Sequence, residues 1–245
     1  MTAENPLLRA TELEHAYGLV TVLEGVSLDL YGGTVTALIG PNGSGKTTFI
    51  RALTGLHEPS GGTVEYGGPE TTRRVGYLPQ YPAFRPGQTV LQALTFYASL
   101  VGGSVADAEA ALDRVGLGDA TERDVDALSG GMTRLLGIAQ ATVGDPPVVI
   151  LDEPASGLDP EMSLHVFHTL GELADDGTAV LLSSHDLALV EETADVVALL
   201  DAGEFVARGS PAELRAETDA DSLLGAFRSL VTREPGTLRV QEARI

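Results

Sequence analysis

The sequence contains no cysteine, which excludes a disulfide framework and any thiolate metal site and fits a reducing compartment. Lysine is almost as scarce: Lys46 is the only one, and the other fourteen basic residues are arginine. No run of about 18 apolar residues occurs, so nothing in the sequence is expected to span a bilayer. The longest apolar stretches, such as Pro147 to Leu151 and Val196 to Leu200, have the length of buried strands. The opening segment, MTAENPLLRATELEHAYG, lacks the basic-then-apolar layout of a secretory signal. No fixed-period repeat and no low-complexity segment divides the chain. What remains is 245 residues with 43% hydrophobic content, enough for one large α/β domain or a domain with a sizeable insert. The expectation is a soluble or peripheral protein.

Charge is the conspicuous surplus. Asp and Glu total 35 against 15 Lys and Arg, for a formal charge of −20. Such a chain repels nucleic-acid phosphates and anionic lipid headgroups, so neither nucleic acid nor direct lipid binding is expected. The acid is spread over the whole chain and forms no tail. With lysine nearly absent, the composition resembles proteins of salt-loving cells; an acidic mesophilic protein from a GC-rich genome is the alternative.

Periodicity places the elements. From Leu7 to Leu38 short β-type runs are punctuated at Gly18 and Gly32-Gly33, and Leu23 to Leu30 alternates like a half-buried strand. Thr34 to Ile39 is an apolar strand that runs into a glycine-rich turn, with a helix expected from Lys46 to Leu56. Thr63 to Tyr66 and Arg74 to Leu78 read as strands. Between Thr89 and Val115 the period turns helical: Val90, Leu91, Leu94, Tyr97 and Ala98 share one face, and Ala108, Ala111, Leu112 and Val115 share another. A further helix is expected from Met132 to Thr142. Then come a strand at Val148 to Leu151, a helix at Pro160 to Ala174, a strand at Thr178 to Ser183 and a short helix at Leu187 to Ala194. Strands at Val196 to Leu200 and Glu204 to Ala207 complete the series. The alternation predicts a mainly parallel sheet with a mostly helical insert near residues 81–143. Residues 232–245 are expected to be a loosely held tail, leaving 1–231 as one domain.

Gly40 to Thr47, GPNGSGKT, satisfies the G-x-x-x-x-G-K-[ST] phosphate loop and lies where that loop must lie, after a strand and before a helix. Its glycines let backbone N–H groups curl around phosphates, and the helix N-terminus adds positive potential. Lys46 would reach the β and γ phosphates, and Thr47 would offer its hydroxyl to Mg²⁺. A sequence almost purged of lysine keeps one here because arginine's planar fork cannot replace a compact ammonium in a tight cradle. Val148 to Leu151 ends in Asp152 and Glu153. Asp152 could hold the Mg²⁺ shell, and Glu153 could orient a water and accept its proton. Read alone, the pair could equally be two surface acids at the end of a core strand. Leu128 to Met132, LSGGM, opens an expected helix, where Ser129 and the N–H groups of Gly130 and Gly131 form an anion site. As a lone string it could be a loop with an N-cap serine.

The order of these elements, with Gln80 before LSGGM and His185 after the acidic strand, resembles the ABC ATPase family, from Leu7 to about Pro211. The resemblance implies an α/β fold: a P-loop NTPase core with a mainly parallel sheet, an N-terminal antiparallel β subdomain and an inserted α-helical subdomain. It implies ATP and Mg²⁺ as cofactors, with nucleotide contacts from Gly40, Pro41, Asn42, Gly43, Ser44, Gly45, Lys46, Thr47 and Thr48. Tyr17, in HAYG, resembles the aromatic that stacks on adenine, although a strand-end tyrosine is the alternative. Gln80, in YLPQ, resembles the glutamine that senses Mg²⁺ and the γ-phosphate. The metal set is then Thr47, Gln80 and Asp152, and the catalytic set is Lys46, Gln80, Glu153 and His185. Ser129, Gly130 and Gly131 match the signature that closes on a nucleotide held by an opposing subunit, and Asp159, in SGLD, matches the loop that joins the two sites. His15, His57, His165 and His168 match nothing and are expected to be surface or packing residues.

Three departures stand out. Met132 occupies a position where many members have Gln, Thr133 to Leu136 lacks a common basic run, and Ala155 replaces a usual Thr without expected harm. Met132 followed by GIAQA resembles the exporter branch, whose membrane subunits are separate chains. The expectation is therefore an ATPase subunit, homodimeric or paired with another ATPase subunit, at the cytoplasmic face of the membrane and held there by a transmembrane permease. A soluble ABC ATPase of translation or DNA repair is the second reading, but such proteins usually carry two cassettes, a long coiled-coil insert or cysteine-rich zinc elements. A small P-loop kinase or a nucleotide-binding module without turnover is the third, and in it LSGGM and His185 have no task.

The acidic surface generates the first prediction. Repulsion among carboxylates is screened over about 3 Å at 1 M salt but only over about 10 Å at 0.1 M. Fold and activity should therefore fail below a few hundred millimolar KCl and recover above it. A thermal melt that stays flat across that range would retire the adaptation to salt.

Overall fold

The computed structural model describes residues 5–231. The expected tail, 232–245, lies outside them. Strand β1 (Leu8–Tyr17) pairs antiparallel with β2 (Val20–Leu30), and on its other edge with β4 (Gly61–Tyr66), giving a three-stranded sheet. The turn between β1 and β2 carries Gly18 at φ 63, a left-handed conformation that glycine adopts without a Cβ penalty.

The second sheet has six strands in the order β5 (Val75–Leu78), β6 (Val148–Leu151), β7 (Ala179–Ser183), β3 (Thr34–Ile39), β8 (Val196–Asp201) and β9 (Glu204–Gly209). The first five run parallel and β9 returns antiparallel along β8. A parallel sheet survives only when both faces are covered, and the residues of these strands divide between two cores. Val35, Ala37, Ile39, Val149, Leu151, Val180, Leu182, Val197 and Leu199 point into one core. Leu38, Val148, Ile150, Ala179, Leu181, Ala198 and Leu200 point into the other. Strict two-residue alternation along each strand produces this division.

The second core is closed by helix α1 (Lys46–Leu53), through Phe49, Ile50 and Leu53, and by the inner face of β1 and β2. The first is closed by α2 (Val90–Leu100), α3 (Val105–Arg114), α4 (Gly130–Thr142), α5 (Pro160–Asp175) and α6 (Leu187–Thr193). The predicted faces are the buried ones: Val90, Leu94 and Ala98 on α2, with Ala108, Ala111 and Leu112 on α3 and Val115 just beyond it. Capping boxes set the starts of α2 and α3, Thr89 with Gln92 and Ser104 with Asp107.

Several boundaries differ from expectation. Helix α1 stops at Leu53 rather than Leu56, because Gly55 takes φ 72 just beyond the Thr54 cap. Helix α4 starts at Gly130, two residues before Met132, because Ser129 caps it. The periodicity did not suggest two C-terminal helices, α7 (Pro211–Thr218) and α8 (Leu223–Leu230). Helix α7 buries only Pro211 and Leu214, and α8 only Leu223 and Ala226, which is too sparse a stripe to read.

The contact of β5 with α4 is unusually close. A Cβ on Gly76 would collide with the carbonyl oxygen of Ala141, so the strand and helix meet backbone to backbone. Gly76→Val should lower stability by about 1–3 kcal/mol or more through overpacking, read as a fall in Tm at molar KCl. An unchanged Tm would mean that this packing is looser than the distances indicate.

Candidate functional site

Parallel pairing brings the ends of four strands to one edge of the sheet: Leu78 is in register with Leu151, Leu151 with Leu182, and Leu38 with Ser183. The residues that follow these ends are the ones singled out in the sequence. Gly40 leaves β3, Gln80 follows β5, Asp152 and Glu153 follow β6, and His185 follows β7. In an open α/β sheet, ligands bind beyond the carboxyl ends of the strands.

The phosphate loop is shaped by glycines that nothing larger could replace. A Cβ on Gly40 would strike the Leu200 carbonyl, and one on Gly45 would come within 2.9 Å of the Val22 carbonyl. Gly45, at φ 108, is the N-cap of α1 and supplies no side-chain cap, and the first turn carries no acid. The leading N–H groups of that helix are therefore open to an anion. Lys46 is buried and folds its ammonium back, donating to the Gly40 carbonyl at 2.8 Å and to the Pro41 carbonyl at 3.0 Å. Burial pulls its pKa below the usual lysine value, against the attraction of Glu153 and Asp152. The Ser44 hydroxyl in the same loop is buried with no hydrogen-bond partner among the described residues.

Asp152 is 1% exposed. Its Oδ1 accepts from the Ser183 hydroxyl at 2.7 Å, while Oδ2 is buried without a partner among the described residues. An orphaned carboxylate oxygen lining the same cavity as Thr47 and Gln80 forms an all-oxygen donor set of the kind a hard divalent cation takes. The residues present therefore fit Mg²⁺, which Thr47, Gln80 and Asp152 could hold. Glu153 stands at φ 55, left-handed for a residue with a Cβ, a conformation that costs roughly 1–3 kcal/mol and persists only where the surroundings impose it. They do. Its N–H donates to Ser183 Oγ at 2.8 Å, its carbonyl accepts from Arg134 Nη1 at 2.8 Å, and its Oε1 lies 2.9 Å from His185 Nε2. Burial raises the Glu153 pKa and the nearby Asp152 adds to this, whereas His185, Lys46 and Arg134 oppose it.

A cavity of 340 Å³ gathers Tyr17, Asn42, Gly43, Gly45, Lys46, Thr47, Thr48, Gln80, Asp152, Glu153 and His185. Gly40, Pro41 and Ser44 belong to the same loop but do not line the cavity. Ser129, Gly130, Gly131 and Asp159 do not line it. Ser129 is exposed, and its Oγ accepts from Met132 N at 3.2 Å as the cap of α4. Asp159 is likewise exposed and caps α5, accepting from Met162 N at 2.9 Å.

Two contributors, Ser183 and Arg134, carry no signal in the sequence, while His15 and His57, expected as surface or packing residues, pack beside Tyr17. Ser183 bridges the two acids. Arg134 donates to the Glu153 and Ser156 carbonyls. His15 packs edge-on to Tyr17 with ring centroids 4.7 Å apart, and His57 stands 5.7 Å from His15. His15 lies two residues before Tyr17 on one strand, so its same-face position was legible. The links made by Ser183 and Arg134 cross about 20 to 30 positions of sequence and carried no local signal.

The family model described as ABC transporter matches residues 23–156, more than half of the chain. The daunorubicin resistance ATP-binding protein DrrA3 of Streptomyces coeruleorubidus is 36% identical, over 92% of this chain and 73% of its own length. The linearmycin resistance ATP-binding protein LnrL of Bacillus subtilis is 31% identical, over 89% and 74%. The Nod factor export ATP-binding protein I of Ralstonia nicotianae is 34% identical, over 85% and 68%. A solved structure described as the ATP binding subunit of an ABC transporter superimposes with a TM-score of 0.82 at 30% identity, covering 91% of this chain and 99% of that one.

The loop geometry makes the role of Lys46 testable. Lys46→Arg keeps the charge, but its wide guanidinium cannot repeat the two close carbonyl contacts at the mouth of the loop. Binding of a fluorescent ATP analogue should be lost or turnover abolished; activity within a few-fold of the parent would remove Lys46 as the phosphate lysine.

Proposed function

The chain belongs to the ATP-binding subunits of ABC transporters, and from that premise we propose that it hydrolyses ATP to drive a separate transmembrane permease, as an exporter. Two copies, or this copy and a paired ATPase subunit, close head to tail around two ATP molecules. The observation that carries the reading is a division of the site. The phosphate loop, Asp152, Glu153 and His185 share one cavity, whereas Ser129, Gly130 and Asp159 lie exposed outside it. Ser129 and the N–H groups of Gly130 and Gly131, able to bind phosphate but outside their own cavity, suit the nucleotide of a second subunit, with Asp159 as a contact across the dimer.

Within one site, Tyr17 stacks on the adenine, the phosphate loop and Lys46 hold the phosphates, and Glu153 orients water and takes its proton while His185 steadies the γ-phosphate. Mg²⁺, when bound, neutralises charge on the transferring phosphoryl group. The raised pKa of Glu153 suits a base, because a carboxyl with greater proton affinity takes a proton from water more readily. Export is supported by relatives named for resistance to daunorubicin and linearmycin and for Nod factor export, together with Met132 in the signature.

In this reading residues 1–231 form one ATPase domain, whose helical insert of about 81–143 meets the permease around Tyr81 to Arg85. Tyr81 is 81% exposed there, and Phe96 and Leu100 of α2 are exposed apolar side chains nearby in sequence. No helix among the described residues is long and apolar enough to cross a membrane, and the charge of −20 opposes anionic lipid. The chain is thus held at the cytoplasmic face through protein contacts, not lipid.

Glu153→Gln keeps size and hydrogen bonding but cannot take a proton, and turnover should fall by about 10² to 10⁴. The trapped nucleotide should convert monomer into a stable dimer with ATP and Mg²⁺, seen by size exclusion with light scattering. Adding Ser129→Arg should return that dimer to monomer. Hydrolysis at the parent rate by Glu153→Gln would overturn the catalytic assignment, and ATP binding without dimerisation at high salt would overturn closure of the isolated subunits.

A further inference from the structure

One buried charge has no task in the mechanism above. Arg134 lies on the second turn of α4 and is 8% exposed. Burying a guanidinium is costly unless its donors are matched, and burial pulls its pKa below the usual arginine value. Among the described residues it has no carboxylate within ion-pair distance. It spends its fork on backbone instead. Nη1 donates to the Glu153 carbonyl at 2.8 Å and Nη2 to the Ser156 carbonyl at 3.2 Å. The same turn is closed by Ser156 N donating to the Glu153 carbonyl at 3.1 Å. A planar fork suits two acceptors at fixed separation in a way that an ammonium does not.

The helix that carries Arg134 begins at the exposed Ser129 cap. One turn earlier on it, a Cβ on Gly131 would come within 3.3 Å of Leu158 Cδ2, so the 153–159 loop is seated on α4 at two places. Arg134 does not line the nucleotide cavity. Any influence it has on hydrolysis must therefore pass through the residues it holds.

We propose that Arg134 is a positioning residue: it fixes the left-handed turn at Glu153, and so ties the placement of the base to the seating of the α4 N-terminus. The proposal rests on Glu153 acting as base. With φ at 55 the side chain leaves the turn toward His185; a turn released by losing both bonds would swing the carboxylate off the water it orients. A misplacement of about 1 Å can cost about 10²-fold in rate. Because α4 also presents Ser129, docking of that cap against a neighbouring nucleotide would be transmitted to the base of its own chain.

The test uses the full chain at molar KCl, comparing the parent, Arg134→Gln, Arg134→Lys and Glu153→Gln. Arg134→Gln should lower kcat about 10- to 100-fold. KM and the affinity for a fluorescent ATP analogue should stay within about threefold, since no interaction with bound nucleotide is removed. Amide hydrogen exchange should quicken across 153–159 and stay unchanged across 40–47. Arg134→Lys, able to serve one carbonyl well, should lie between Arg134→Gln and the parent in both kcat and exchange. A kcat for Arg134→Gln within about threefold of the parent, or a loss confined to KM or to the folded fraction with exchange at 153–159 unmoved, overturns the proposal. If Arg134→Gln does not fold, Arg134→Lys decides, and parent-like kcat and exchange in it overturn the proposal. Parent-like turnover by Glu153→Gln removes the base assignment and this inference with it, whereas an inactive Glu153→Gln beside a parent-like Arg134→Gln removes this inference alone.

Discussion

Between the ends of β6 and β7, the hydroxyl of Ser183 donates to Asp152 at 2.7 Å and accepts from the Glu153 N–H at 2.8 Å. That one group decides where two adjacent acids point. It occupies one oxygen of Asp152 and leaves the other free in the cavity, and it holds the peptide that turns Glu153 into the left-handed region. In an extended backbone, neighbouring side chains face opposite ways. The turn overrides that rule and lets both Asp152 and Glu153 line one cavity. The Arg134 and His185 contacts reinforce the same geometry, from the carbonyl side and from the carboxylate side.

The electrostatics of the cavity follow from burying unlike charges together, with Glu153 drawn to within 2.9 Å of His185. Lys46 and Arg134 give their donors to carbonyls, and Asp152 accepts from a hydroxyl. Each charge is hydrogen-bonded, yet none is consumed by a partner of opposite sign in the loop itself. A phosphate chain and a divalent cation would meet groups already desolvated and aimed, where Coulomb interactions are stronger than in water. The only lysine of a strongly acidic chain therefore sits in a buried cradle, where screening by solvent is weak.

Outside the cavity, the surface carries the remaining features of the family in exposed caps: Ser129 at the start of α4 and Asp159 at the start of α5. Both side chains satisfy their own helices, which explains why the monomer can present them to solvent without leaving donors orphaned. The Ser129 hydroxyl accepts from Met132 N and keeps its own proton to donate. Capping and ligand binding are compatible in one residue, so the two readings of LSGGM as cap and as anion site are not alternatives.

The sequence alone determined the order of strands and helices, the two-faced burial of the central strands and the residues of the phosphate loop, because each is written in local periodicity or in a motif whose glycines are sterically required. Gly40, Lys46 and Asp152 could be named from their neighbours, and His185 through the resemblance to the ABC ATPase family. Helices α7 and α8 could not, because they bury too few side chains to show a stripe. Nor could the work of Ser183 and Arg134 be read there. Ser183 and Arg134 act across roughly 20 to 30 residues of sequence, on a backbone turn that exists only once β6, β7 and α4 have packed. His15 gains its meaning from the ring of Tyr17 beside it and from His57 brought in by the loop after α1. Periodicity and motif report what a residue does for its own segment; the tertiary fold decided which distant groups share a hydrogen bond, because such bonds are specified by distance in space and leave no local pattern.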